Sequence, residues 1–357
     1  MPETPPEPRP STPANDTHGM DRRAVLRGAA AATAAGALGG LAASPAAAST
    51  ASATTAAGAS TAAAGVLPEY KFVRRALNTA NLAYNPTGEF IFPCLRGTAG
   101  RLSNAPGRFL LYYAPHDAPG GICLAYADTP EGPYTEYPDN PIVGRVWSPH
   151  YSVSHVSSPH VMWNEQEREM WLYFHGENTT TRLARSRNGI DFTYEGVVLN
   201  TSMLPSGTTE TSYARVFEHP LSDRGSRYVM VFMRNDRSNR RSIGWGWSAD
   251  GITFDFDPRP LIDHEAVGVT DVSGPHVVEQ GGTTYVSYHT SEGDIRVTEV
   301  GRDFSRRRHL GVAHRPLAGA PDNGRSAAPS YGTHLGTRYM IYEAGSRLGA
   351  TIAVARA

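Results

Sequence analysis

A phrase of three parts recurs along this chain and leaves few folds open to it. It begins with two small residues, a proline, any residue and an apolar one. Copies stand at Ser157-Ser158-Pro159-His160-Val161, Ser273-Gly274-Pro275-His276-Val277 and Ala327-Ala328-Pro329-Ser330-Tyr331, with a variant at Ser212-Tyr213-Ala214-Arg215-Val216. An aromatic-rich strand with a polar end follows, at residues 112–117, 171–177, 231–236, 285–289 and 339–343. A strand of small and β-branched residues closes the phrase, at 122–128, 182–186, 243–248, 295–300 and 351–355. Self-similarity at such a period marks repeated supersecondary units. Position 159 to 214 is 55 residues, 214 to 275 is 61 and 275 to 329 is 54. A four-stranded propeller blade takes roughly 40–50 residues, and loops fill the rest. No window holds a helical period, which excludes a helical solenoid. The 36 Gly and 27 Pro suit many short strands joined by turns. The expectation is an all-β, five-bladed β-propeller of four-stranded antiparallel blades.

The N-terminal segment stands apart. Residues 1–19 are Pro-rich and polar, the composition of a disordered extension. Arg22-Arg23 then opens an Ala/Gly run with small residues at Ala46-Ala47-Ala48, so 20–48 reads as a twin-arginine-type signal peptide, cleaved near Ala48. The Ala/Ser/Thr-rich stretch 49–65 reads as a linker, leaving 66–357 as the propeller domain. The protein is therefore expected to be secreted, monomeric and free of the membrane once the signal is removed. A net charge of -1 gives no case for nucleic acid or for an anionic membrane. An exported chain meets an oxidising compartment, yet Cys94 and Cys123 fall on first and third strands of one blade. Strands two apart lie about 9–10 Å from each other, beyond disulfide reach, so both are expected as buried thiols.

Propeller topology turns the repeat into a map. The start of each inner strand and the loop after each second strand share one rim. The loops bring His116 and Asp117, His175 and Glu177, Asn235, His289 and Glu343 to that rim. The inner-strand starts bring His155, Glu210, Tyr213, Arg215, Asp271 and Arg325, and Asn85 crosses the rim ahead of blade one. Polar groups converging on one pocket suit a polar small molecule, sugars above all. Carboxylates Glu210, Asp271, Asp117 and Glu177 are the candidates for acid/base work, and the remaining rim residues are candidates for substrate binding. Tyr112, Tyr173 and Tyr288 read as core, and Asn188-Gly189 and Asp250-Gly251 as hairpin turns. No metal ligand is assigned and no cofactor is expected, since no H-x-x-x-H or C-x-x-C spacing occurs. A His/Asp/Glu-lined channel still leaves room for a structural metal ion. Blade five lacks its outer strand at the C-terminus, and residues 70–77 are expected to supply it and close the ring.

With these motifs in place the chain resembles the five-bladed β-propeller glycosidases, the superfamily of arabinanase/β-xylosidase-like and fructosidase-like enzymes. The stretches Leu183-Ala184-Arg185-Ser186-Arg187-Asn188-Gly189-Ile190-Asp191-Phe192 and Trp247-Ser248-Ala249-Asp250-Gly251-Ile252-Thr253-Phe254 carry the resemblance, as does Ala125-Tyr126-Ala127-Asp128-Thr129-Pro130-Glu131-Gly132-Pro133-Tyr134. It implies a glycoside hydrolase acting on plant or microbial oligo- or polysaccharide, with Asp at the starts of blades one and two and a Glu general acid at blade three. Glu210 stands at the blade-three position. The segments read as the other two starts, Tyr84-Asn85-Pro86-Thr87-Gly88-Glu89 and Ser157-Ser158-Pro159-His160, lack the Asp. Two alternatives stay open: a polysaccharide lyase on uronate-containing glycans using His, Tyr and Arg215 or Arg325, and a non-catalytic glycan-binding propeller.

Overall fold

The computed structural model describes residues 65–77, 79–316, 322 and 324–357. The disordered extension expected at 1–19, the signal expected at 20–48 and all but the last residue of the linker expected at 49–65 lie outside the described residues. Five four-stranded antiparallel sheets make up the fold. Blade one is β2 (Ile91–Gly97), β3 (Phe109–Ala114), β4 (Cys123–Ala127) and β5 (Thr135–Glu136). Blade two is β8 (Val156–Asn164), β9 (Glu169–Gly176), β10 (Thr180–Ser186) and β11 (Thr193–Asn200), preceded by a small ribbon of β6 (Val146–Trp147) and β7 (Tyr151–Ser152). Blade three is β12 (Glu210–Leu221), β13 (Ser226–Asn235), β14 (Arg241–Ser248) and β15 (Asp255–Phe256). Blade four is β16 (Val272–Gln280), β17 (Thr283–Thr290), β18 (Ile295–Glu299) and β19 (Arg308–His314). In blade five β20 (Ser326–His334), β21 (Thr337–Ala344) and β22 (Thr351–Arg356) are completed by β1 (Lys71–Arg75).

That last pairing closes the ring. Strand β1 runs antiparallel to β22, with Lys71 opposite Arg356 and Arg75 opposite Ala353. Val66, Leu67 and Tyr70 ahead of it are buried against Leu310, Met340 and Tyr342. The pairing covers the edge of β22 and leaves the short β1 as the outer strand of blade five.

The second strands form the core between blades because their faces are apolar on both sides, as sheets covered on both faces require. Tyr112, Tyr173 and Tyr288 are wholly buried. Their hydroxyls still find partners. Tyr112 of blade one donates to the Gly189 carbonyl in the hairpin of blade two at 2.7 Å. Tyr173 of blade two donates to Gly251 in the hairpin of blade three at 2.9 Å. The Asn-Gly and Asp-Gly turns thus latch one blade to the next. Cys94 on β2 and Cys123 on β4 are buried free thiols.

Every inner strand carries the same irregularity. The ladder to the second strand shifts between Ile91 and Cys94, Ser157 and His160, Ser212 and Arg215, Ser273 and His276, and Ala327 and Ser330. Each shift holds one residue in the left-handed region: Phe92, Ser158, Tyr213, Gly274 and Ala328, with φ of 59°, 54°, 54°, 58° and 42°. This explains the small residue before Pro in the repeat, since small side chains meet least steric cost there. It also corrects the reading of blade one. Its opening phrase is Ile91-Phe92-Pro93-Cys94, not the segment 84–89.

Between blades one and two the backbones come close enough to require glycine. Gly120 has φ +66°, and a Cβ there would stand 2.3 Å from the Val156 carbonyl oxygen. Gly120→Ala is expected to cost about 3 kcal/mol, from backbone strain and overpacking together. A urea midpoint within error of wild type would contradict this.

Candidate active site

The common bulge puts equivalent residues at equivalent heights around the channel. Four residues before the proline position stand Glu89, His155, Glu210, Asp271 and Arg325, one per blade. One rung down are the left-handed residues, among them Phe92 and Tyr213, whose rings meet edge-to-face at 4.9 Å. The next inward rung is Cys94, His160, Arg215, His276 and Ser330.

That third rung plugs the channel with polar groups that satisfy one another. Arg215 donates to Nδ1 of His276 at 2.7 Å, to the Ala328 carbonyl at 3.2 Å and to the Pro329 carbonyl. His160 donates from Nε2 to the Val216 carbonyl at 2.7 Å. Burial pulls the Arg215 guanidinium down to about 10 and holds both imidazoles well below their usual range, hence neutral. Arg215, a candidate substrate ligand from sequence, is committed to these partners below the rim.

Above it opens a cavity of about 340 Å³ whose lining includes Glu89, His116, Tyr213, Arg241, Asp271, His289, Arg325 and Arg347. Five sequence candidates therefore meet here: His116, Tyr213, Asp271, His289 and Arg325. Blade two contributes nothing to the lining. Its His155 bonds Asn178 and Ser154, its Glu177 faces Arg182 at 3.5 Å, and His175 lies buried against Phe92 and His155. Burial, with His155 beside it, pulls His175 down to about 3. Asp117 sits exposed beside His116 at 3.0 Å, outside the lining. Glu210 also lies outside, accepting from Ser212 at 3.1 Å with Arg241 3.8 Å away. Asn235 bonds Asn239, and Asn85 forms a turn with Gly88 and Thr79. Glu343 is fully buried behind the cavity, paired with Arg325 at 2.7 Å and accepting from the Phe92 N–H at 3.2 Å.

The chemistry of the lining follows from these contacts. Glu89 is buried, with Oε1 accepting from the N–H groups of Leu348 at 2.9 Å and Ala350 at 3.4 Å. Burial raises its pKa and the neighbouring Glu343 carboxylate raises it further, against the two N–H donors. Asp271 is held differently. Its Oδ1 accepts the Arg241 N–H at 3.0 Å, and its own N–H meets Ser291 at 3.2 Å. His289 Nδ1 accepts the Ala328 N–H at 3.2 Å, so the neutral ring carries its proton on Nε2. Burial holds this imidazole well below its usual range, and the guanidiniums of Arg325, Arg241, Arg215 and Arg347 push the same way. Gly274 makes room for it: a Cβ there would lie 2.7 Å from Nδ1. The cavity thus combines a carboxyl group whose pKa is raised, the carboxyls of Asp271 and Glu292, an N–H donor and an aromatic face. Among the described residues no cluster of three or more His, Cys, Asp or Glu is arranged to hold a metal ion.

A larger cleft of about 700 Å³ lies at the seam of blades five and one, lined by Arg74, Arg75, Tyr134 and residues 344–346 and 349–351. It has no carboxylate or imidazole among its described lining residues, so carboxylate acid/base chemistry has no groups to work with there.

No family model matches the sequence, and no curated protein matches it. Solved structures do match in fold. The structure of a BT0996 complex with RGII aligns with a TM-score of 0.63 at 13% identity, covering 84% of this chain and 94% of that one. CoXyl43, a GH43 β-xylosidase/α-arabinofuranosidase from a compost microbial metagenome, aligns with a TM-score of 0.54 at 13% identity, covering 81% and 95%. An α-L-arabinofuranosidase from Lactobacillus brevis gives 0.52 at 14% identity, covering 74% and 90%. The chain shares the five-bladed propeller fold with these structures.

Proposed function

We propose that the protein is a secreted glycoside hydrolase that cleaves an oligo- or polysaccharide in the rim cavity, with Glu89 as general acid and Asp271 as the partner carboxylate. The observation that carries this reading is that two of the three cavity carboxyls stand in unlike surroundings, Glu89 buried beside Glu343 and Asp271 bonded to a backbone N–H, while Glu292 is tied to Arg296. Environments that separate two carboxyls divide the acid role from the anionic one. Glu89 passes its proton to the glycosidic oxygen as the bond to the anomeric carbon breaks. Asp271 stabilises the positive charge developing on the sugar, and water then adds its hydroxyl to the anomeric carbon while its proton returns to the Glu89 carboxylate. The fold likeness supports the enzyme class, and Arg22-Arg23 with the Ala/Gly run supports export.

Incubation with plant and microbial glycans tests the class. New reducing ends without ultraviolet absorbance are expected. A product absorbing through a new C=C bond would mean a lyase instead, and binding without turnover a lectin-like propeller.

A further inference from the structure

Not every cation around His289 forms an ion pair, and the cavity carboxylate Asp271 is bonded to the Arg241 backbone N–H. Arg325 is neutralised by Glu343, and Arg241 has Glu210 at 3.8 Å. Glu292, which also lines the cavity, is tied to Arg296. Arg215 and Arg347 have no carboxylate within ion-pair distance among the described residues. Arg215 is buried one rung below His289, and Arg347 lines the cavity from the exposed β21–β22 loop. His289, which lines the same cavity, has its Nε2–H as a further donor.

A buried cation without a counter-ion is costly, and a ligand that brings negative charge to it recovers part of that cost. Guanidinium groups match the geometry of a carboxylate through paired N–H bonds. About 340 Å³ is room for one sugar ring with its substituent.

Resting on the glycosidase reading above, we infer that the sugar held in this cavity carries a carboxylate, a uronic acid, bound by Arg347 and the His289 N–H over the field of Arg215. Neutral pentoses and hexoses lack the group that would engage these residues.

Saturation-transfer NMR on the full chain tests this with D-glucuronate, D-galacturonate, D-glucose, D-galactose and glucose 6-sulfate as probes. One of the uronates is expected to bind at least about tenfold tighter than its neutral parent, the scale of one charged hydrogen bond. Its binding should weaken with salt, and Arg347→Gln should weaken it by a similar factor. Neutral sugars binding as well as uronates, glucose 6-sulfate binding better than both uronates, or uronate binding unchanged in Arg347→Gln would each overturn the inference. So would no binding by any probe. Turnover of a neutral glycan alongside any of these results would leave the glycosidase reading standing and this inference alone refuted.

Discussion

Glu89→Gln is expected to cut turnover of unactivated glycans by roughly 10²–10⁴-fold, the usual worth of acid–base assistance. The substitution keeps the side chain's shape and its Oε1 acceptor for the Leu348 N–H, so the thermal midpoint should hold. Substrates with activated aryl leaving groups should lose much less, because their departure needs little protonation. The pH profile provides a second reading. Catalysis requires the protonated form of Glu89, whose pKa is raised by burial and by Glu343. Wild-type kcat/KM should therefore fall as pH rises through that raised value, and Glu89→Gln should lack this alkaline limb. Full activity of Glu89→Gln on an unactivated glycan would remove Glu89 from the acid role. A matching loss in Glu210→Gln would then return the role to the blade-three residue.

The second large effect concerns ring closure. A chain beginning at Ala76 would lack β1 and expose the edge of β22. It would also lose the burial of Val66, Leu67 and Tyr70. Three such side chains represent about 5 kcal/mol or more of apolar burial. Whole domains are stable by only about 5–15 kcal/mol. The truncated protein is expected to be mostly unfolded or aggregated, the open edge being a template for pairing. Circular dichroism and sedimentation check this. A soluble monomer with the wild-type unfolding midpoint would show that β1 is dispensable.

The number of blades and the closing strand are legible in the sequence because each unit repeats the same steric demands. A left-handed residue ahead of an inward one favours Ser, Gly or Ala followed by Pro, and three copies show that pattern plainly. Blade one hides it. Phe92 occupies the left-handed position, the small-residue signature is gone, and Glu89 therefore does not stand out as the partner of His155, Glu210, Asp271 and Arg325. Tyr213 makes the same exchange, but Ser212 and Val216 around it keep the register visible. Both exceptions carry the aromatic rings that meet at the site, in line with strain gathering where function needs a particular side chain.

Other site residues are illegible for a different reason. Sequence shows that a charge reaches the rim but not what the backbone offers it there. Arg215 is consumed by two carbonyls and His276, and Glu343 by Arg325 and the Phe92 N–H. Asn85 closes a turn. Arg347 lies in a loop outside the repeated phrase, so no pattern points to it.

The most direct test of Glu89 and the rim cavity as the catalytic centre is a crystal structure of Glu89→Gln with the glycan that the wild-type protein cleaves. The sugar is expected in the rim cavity, its glycosidic oxygen within about 3 Å of the residue 89 side chain. Asp271 should be on the same sugar and His289 at its substituent. Sugar bound instead in the cleft of Arg74 and Tyr134, or in the rim cavity with its glycosidic oxygen beyond reach of residue 89, would contradict that assignment.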